Sequence, residues 1–141
     1  MPQRMLFNDA QLWVYREADQ EIVAFGTLEI SDLYKNWTAN RLHPYIPLLA
    51  VKPDTQGRGY GRSVIHHLIG QAALHVMSDE TLDDRLFLDV YASSQNAIKS
   101  YIKCGFENLT DLPVHDPDSR REYFVMAKRV RIVGASLFDA P

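Results

Sequence analysis

Apolar residues fall along this chain in two rhythms. Residues 11–15 (QLWVY) and 22–30 (IVAFGTLEI) are rich in β-branched and aromatic side chains, and the polar segment 16–21 between them predicts a hairpin turn. Residues 45–51 (YIPLLAV) form the short apolar run of a buried central strand. Pro47 cannot donate to a ladder there, so a bulge or irregularity is expected. The rhythm then turns helical: Val64, Ile65, Leu68, Ile69, Ala72, Ala73 and Val76 make one apolar stripe. Strand character returns over 86–92 (LFLDVYA). Ser94 can cap a second helix whose buried face includes Ala97, Ile98, Tyr101 and Ile102, and Gly105 stops it. Residues 122–130 (EYFVMAKRV) predict a last strand, which 131–141 extends or from which it frays. The rest reads as loop: 31–44, with room for a short helical turn, the charged 78–84, and 109–120 with Pro113 and Pro117.

The order is β-β-loop-β-α-β-α-β. Its central strand–helix–strand predicts a parallel pair flanked by antiparallel hairpins, an α/β (α+β) architecture with a mixed, mostly antiparallel sheet and helices packed on it. At 141 residues, with no repeat, linker or low-complexity stretch, the chain fits one domain over 1–141.

Composition narrows the classes. No apolar run approaches the roughly 20 residues that span a bilayer, and the opening MPQRM lacks the apolar stretch of a secretory signal. Cys104 is the one cysteine, which excludes an internal disulfide framework and a cysteine-rich zinc site. A cytoplasmic protein with no membrane partner is expected. The net charge of −3 argues against a nucleic-acid partner, because phosphate neutralisation calls for a basic excess.

The richest chemistry lies in residues 51–68, VKPDTQGRGYGRSVIHHL, where Gly57, Gly59 and Gly61 alternate beside Arg58 and Arg62. Glycine permits φ > 0 and lets a ligand approach the main chain. A helix starting there offers unpaired N–H groups and the positive end of its dipole. Such a corner binds a phosphate or pyrophosphate, or else merely connects strand to helix. Two nucleotide motifs fail: no Lys follows as a P-loop requires, and a dinucleotide fingerprint needs glycine at position 62, which is Arg. His66 and His67 point about 100° apart on a helix and have no Cys or acidic partner at ligand spacing, so no metal is expected. Cys104 reads as a small buried hydrophobe.

Gln56-Gly57-Arg58-Gly59-Tyr60-Gly61 matches the signature Gln/Arg-x-x-Gly-x-Gly/Ala, and residues 88–106 (LDVYASSQNAIKSYIKCGF) match a later strand–helix segment ending in Tyr-x-x-x-Gly-Phe. With both motifs in order, the chain resembles the GNAT superfamily of acyl-CoA-dependent N-acetyltransferases over roughly residues 11–130. The resemblance implies transfer of an acetyl group from the co-substrate acetyl-CoA to a primary amine of a small molecule or protein. It places the pyrophosphate on the loop from Gln56 through Gly57, Arg58, Gly59, Tyr60 and Gly61 to Arg62, and the pantetheine on the main chain of Leu49 and Val51. Tyr101, by periodicity a core aromatic, becomes the donor of a proton to the leaving thiolate.

Departures from the family are equally legible. Ser94 stands where relatives often have an Asn on the pantetheine, with Asn96 nearby. The strand-four Glu that serves many relatives as a base is missing; Glu29, Asp89, Tyr91, His43, His115 or a water chain are candidates, none of them assignable. The family's first strand and following helices, which wall the acceptor site, are expected to be missing or shortened. Loop 31–44, with Tyr34, Trp37, Arg41 and His43, would then close the site or lie solvated, anchored by two aromatics. Alternatives are a non-catalytic acyl-CoA-binding module and a toxin-type acetyltransferase of aminoacyl-tRNA, which the acidic charge opposes. Helix 61–77 offers a route to a homodimer, although core packing explains its stripe more simply.

Overall fold

The computed structural model describes residues 2–7, 10–16, 21–55 and 57–131. The expected turn at 17–20, Gln56 and the tail 132–141 lie outside the described residues. In chain order the elements are β1 (Pro2–Phe7), β2 (Ala10–Arg16), β3 (Ile22–Ser31), β4 (His43–Ile46), β5 (Leu49–Val51), α1 (Tyr60–Ser78), β6 (Arg85–Tyr91), α2 (Gln95–Lys103), β7 (Glu107–Asn108), β8 (Val114–His115) and β9 (Glu122–Arg129). They form one sheet in the order β1-β2-β3-β4-β6-β9-β7, with β5 beside β3 and β8 beside β9. All pairings are antiparallel except β4 with β6, as the sequence predicts.

That parallel contact is brief, joining only Tyr45 to Phe87 and Ile46 to Leu88. The run 45–51, expected as one strand, breaks at Pro47-Leu48 into β4 and β5. Pro47 has no N–H for the ladder, so β5 continues along β3 while β6 diverges from it. The sheet therefore splays open at its centre.

Strand periodicity sorts the side chains onto two faces. One carries Trp13, Ala24, Leu28, Ile46, Leu86, Leu88, Val90 and Met126, which form a core with Val64, Ile65, Leu68, Ala72 and Val76 of α1 and Ile98 of α2. The stripe on α1 is thus core, and the helices lie together on that face. Gly26 makes the close approach possible: a Cβ there would stand 2.8 Å from Leu68 and 2.9 Å from Val64. Gly26→Ala should destabilise the fold by about 1–3 kcal/mol through overpacking, measured as a lower urea midpoint at unchanged slope.

The other face differs from expectation at the front. A strand, β1, does precede the hairpin, paired with β2 along its six residues, and only residues 8–9 separate the two. Among the described residues no helix lies between β1 and β2. Instead loop 31–44 lies on the sheet, where Tyr34 packs with Tyr45, Phe87, Val125 and Ala127. Tyr34, 7% exposed, and the buried Thr38 anchor it, while Leu33, Lys35, Asn36, Trp37 and residues 39–42 are exposed. The short turn Lys35–Trp37 is the helical turn allowed for there.

His43, fully buried, holds that loop down. Its Nε2 accepts the Tyr34 amide at 3.0 Å, which leaves the proton on Nδ1 to donate to the Pro44 carbonyl at 3.0 Å. Burial pushes its pKa below the ordinary 6.5; the Pro44 bond, Asp83 and Asp32 pull it up, and Arg85 pushes it down. With the folded pKa depressed, the unfolded chain binds more protons at mildly acid pH, so stability is full above about 6.5 and falls as pH drops through the folded pKa. His67, half-buried against Trp13, shifts in the same direction by burial. Melting temperature should fall from pH 7.5 to 5, and His43→Asn should flatten part of that slope.

Two further differences are small. Within 109–120, expected as loop, β8 makes a two-residue pairing with β9, too short to leave a pattern. Ser94 does sit at the N-cap of α2, but its side chain makes no capping bond; Gln95 Nε2 instead donates to the Ala92 carbonyl at 2.8 Å.

Candidate active site

The loop before α1 owes its shape to three glycines used in two ways. Gly57 and Gly59 both have φ of +86°, which a Cβ would strain, and both face open space. Gly61 lies against β5, where an added Cβ would stand 2.9 Å from Val51. That contact seats the first turn of α1 beside the splay. Gly59 is the N-cap, so the following N–H groups lack intrahelical acceptors and face outward with the positive end of the helix dipole. Tyr60 braces the corner against Tyr15, ring centroids 5.0 Å apart.

A cleft of about 960 Å³ opens over this corner. Its walls include Leu49, Val51, Gly57, Arg58, Gly59, Tyr60, Gly61, Arg62, Ser94, Asn96 and Tyr101, every described residue expected in the site. Ile65 and Ala97, expected as core, also line it, as do Ser93, Gln95 and Ser100, which the sequence did not single out. Helical spacing signals Ala97 once Tyr101 is placed on the cleft, since it lies four residues before it on the same face, and Ser100 lies three residues after Ala97. Among the described residues, Arg58 and Arg62 are its charged side chains, and no carboxylate lines it. The chemistry suits an anion.

A second cleft, about 800 Å³, lies on the opposite side of the splay. Leu49, Ser94, Ala97 and Tyr101 line both, so the two meet there. Its charge is reversed: Asp89 and Asp116 line it, and among the described residues no Lys, Arg or His does. Leu33, Tyr34 and Trp37 bring loop 31–44 into its wall. Arg41 and His43 of that loop do not reach it; Arg41 instead donates to the carbonyls of Thr81 and Glu80 at 3.1 and 3.2 Å. Of the candidate bases, Asp89 and Tyr91 line this cleft, while Glu29, His43 and His115 do not.

Tyr101 stands at the junction. Its ring packs edge-on to Phe106 at 6.0 Å between centroids, and its hydroxyl makes no hydrogen bond among the described residues. Burial pushes its pKa up, and the charge of Asp89 adds to that, so the phenol keeps its proton at neutral pH. Gly105, with φ of +96°, ends α2, and the Phe106 amide turns back to the Tyr101 carbonyl at 3.0 Å. This turn fixes the ring through the Tyr-x-x-x-Gly-Phe motif. No group of three or more His, Cys, Asp or Glu able to hold a metal occurs among the described residues.

The sequence model of the Acetyltransferase (GNAT) family matches residues 2–106. The chain belongs to the GNAT acetyltransferase family. Among curated proteins none matches its sequence. Solved structures share the fold. The ribosomal-protein-S18-alanine N-acetyltransferase of Escherichia coli is 24% identical with a TM-score of 0.66, over 94% of this chain and 76% of that one. Naa20 of Chaetomium thermophilum, in complex with a bisubstrate analogue, is 18% identical with a TM-score of 0.64, over 84% and 65%. A spermidine N-acetyltransferase mutant of Vibrio cholerae is 17% identical with a TM-score of 0.64, over 87% and 67%. This GNAT chain thus spans about two thirds to three quarters of the length of those neighbours.

Proposed function

We propose that this chain moves an acetyl group from acetyl-CoA to a primary amine by direct attack on the thioester. The observation that carries the reading is the meeting of an arginine-lined cleft with a carboxylate-lined cleft at Tyr101. The Gly57–Arg62 amides with Arg58 and Arg62 would hold the pyrophosphate. The pantetheine would follow the main chain of Leu49 and Val51 into the splay, past Ser94 and Asn96. An ammonium entering from the second cleft gives one proton to solvent, and the free amine then attacks the carbonyl, forming the C–N bond and breaking the C–S bond. Tyr101 gives its proton to the departing sulfur and is restored by the proton the new amide nitrogen sheds. The net reaction turns one ammonium and one thioester into an amide, a thiol and one released proton.

Two of these structural neighbours act, by their names, on ribosomal protein S18 and on spermidine, so both protein and small-molecule amines suit the fold. No helix among the described residues is long and apolar enough to cross a membrane. Calorimetry with acetyl-CoA, and with NAD and ATP as controls, tests the reading. Selective acetyl-CoA binding, followed by amine-dependent thiol release, is the expected result; no binding would sink it.

A further inference from the structure

Asp89 lies in the second cleft among tyrosines. Its Oδ2 accepts the hydroxyls of Tyr34 and Tyr45, each at 2.6 Å, and its Oδ1 accepts no hydrogen bond among the described residues. Tyr101 and Tyr123 also line this cleft, and both phenols are raised first by burial and then by the charge of Asp89. The other carboxylate, Asp116, is taken up by its own turn: Oδ1 accepts the Asp118 amide at 3.0 Å and Oδ2 the Ser119 hydroxyl at 2.7 Å. One carboxylate therefore has an oxygen to spare, and it sits near the proposed acid. The rim is apolar, with Leu33 56% and Leu48 51% exposed beside Trp37.

Resting on the acetyl-transfer reading, we infer that the acceptor is an aliphatic primary ammonium whose charge sits on Asp89 and whose alkyl chain lies along Leu33, Trp37 and Leu48. Other amine classes fit badly. An arylamine, neutral at pH 7, leaves the carboxylate without a counter-ion. A phosphorylated or acidic amine meets no cation in this cleft. A polyhydroxylated amine sets its hydroxyls against leucines, where they lose water without a partner. An alkylamine and a lysine side chain present the same chemistry, and each satisfies the site.

Binding is measured by calorimetry at pH 7 without acetyl-CoA, so that it stands apart from turnover, using butylamine, hexylamine, Nα-acetyl-lysine methylamide, p-anisidine and glutamate. Hexylamine should bind more tightly than butylamine by about fourfold per added methylene. The lysine amide should bind if a protein side chain reaches the site and fail if only free amines do; either result keeps the aliphatic class. Asp89→Asn, whose amide oxygen can still accept both phenols, should weaken hexylamine at least tenfold with acetyl-CoA affinity unchanged. Leu48→Asn, at an exposed rim position, should weaken hexylamine but not methylamine. Preference for p-anisidine or glutamate, or unchanged hexylamine affinity in a folded Asp89→Asn protein, overturns the inference. Absence of acetyl-CoA binding in a protein that still binds hexylamine overturns the acetyl-transfer reading alone.

Discussion

Gly59→Glu should weaken acetyl-CoA binding at least a hundredfold while leaving the fold cooperative. The loss has two separable parts. At φ of +86° any L side chain strains the backbone by about 1–2 kcal/mol, although a Cβ at Gly59 meets nothing within 4 Å. Gly59→Ala isolates that part and should cost no more than tenfold in affinity. Gly59→Asn, which tolerates the left-handed region, should cost less. Glutamate adds a negative charge where the proposed pyrophosphate sits and occupies the space that lets phosphate oxygens reach the helix N-terminus. Calorimetry on the three variants gives the order Asn, Ala, Glu. Equal affinities throughout would return the corner to a mere connection between β5 and α1.

The sequence carries this site unevenly, for physical reasons. Glycines and prolines act on the backbone locally, so the φ > 0 positions before α1, the break at Pro47 and the end of α2 at Gly105 can all be read in place. Helical spacing likewise marks Val64 to Val76 as core. The front of the protein is harder. β1 is a lone edge strand whose partner is known only once β2 is placed, and residues 2–7 (PQRMLF) carry no strict alternation. Loop 31–44 has no period because its order comes from long-range bonds: His43 to the Tyr34 amide, and Tyr34 to Asp89, 55 residues apart. Asp89 itself is readable only as one carboxylate among several. It becomes special because Tyr34, Tyr45, Tyr101 and Tyr123 reach it from separate parts of the chain.

Tyr101→Phe should lower kcat for amine acetylation about 10²- to 10⁴-fold, the usual range for losing a positioned proton donor. The substitution is clean because the hydroxyl makes no hydrogen bond among the described residues, and the ring keeps its packing on Phe106. Melting temperature and acetyl-CoA affinity should therefore stay near wild type, and the loss should appear in kcat and not in the acetyl-CoA KM. The sign of the pH dependence follows from the same surroundings. Burial and Asp89 both raise the Tyr101 pKa, so the acid stays protonated through neutral and mildly alkaline pH. Wild-type kcat should then hold level on the alkaline side up to about pH 10, the ordinary tyrosine value, and fall only beyond it. In Tyr101→Phe the remaining activity should lack that alkaline fall, since no phenol at the junction is left to ionise. Wild-type turnover in Tyr101→Phe would instead assign the proton to solvent in the splay, with Tyr101 serving only as a wall shared by the two clefts.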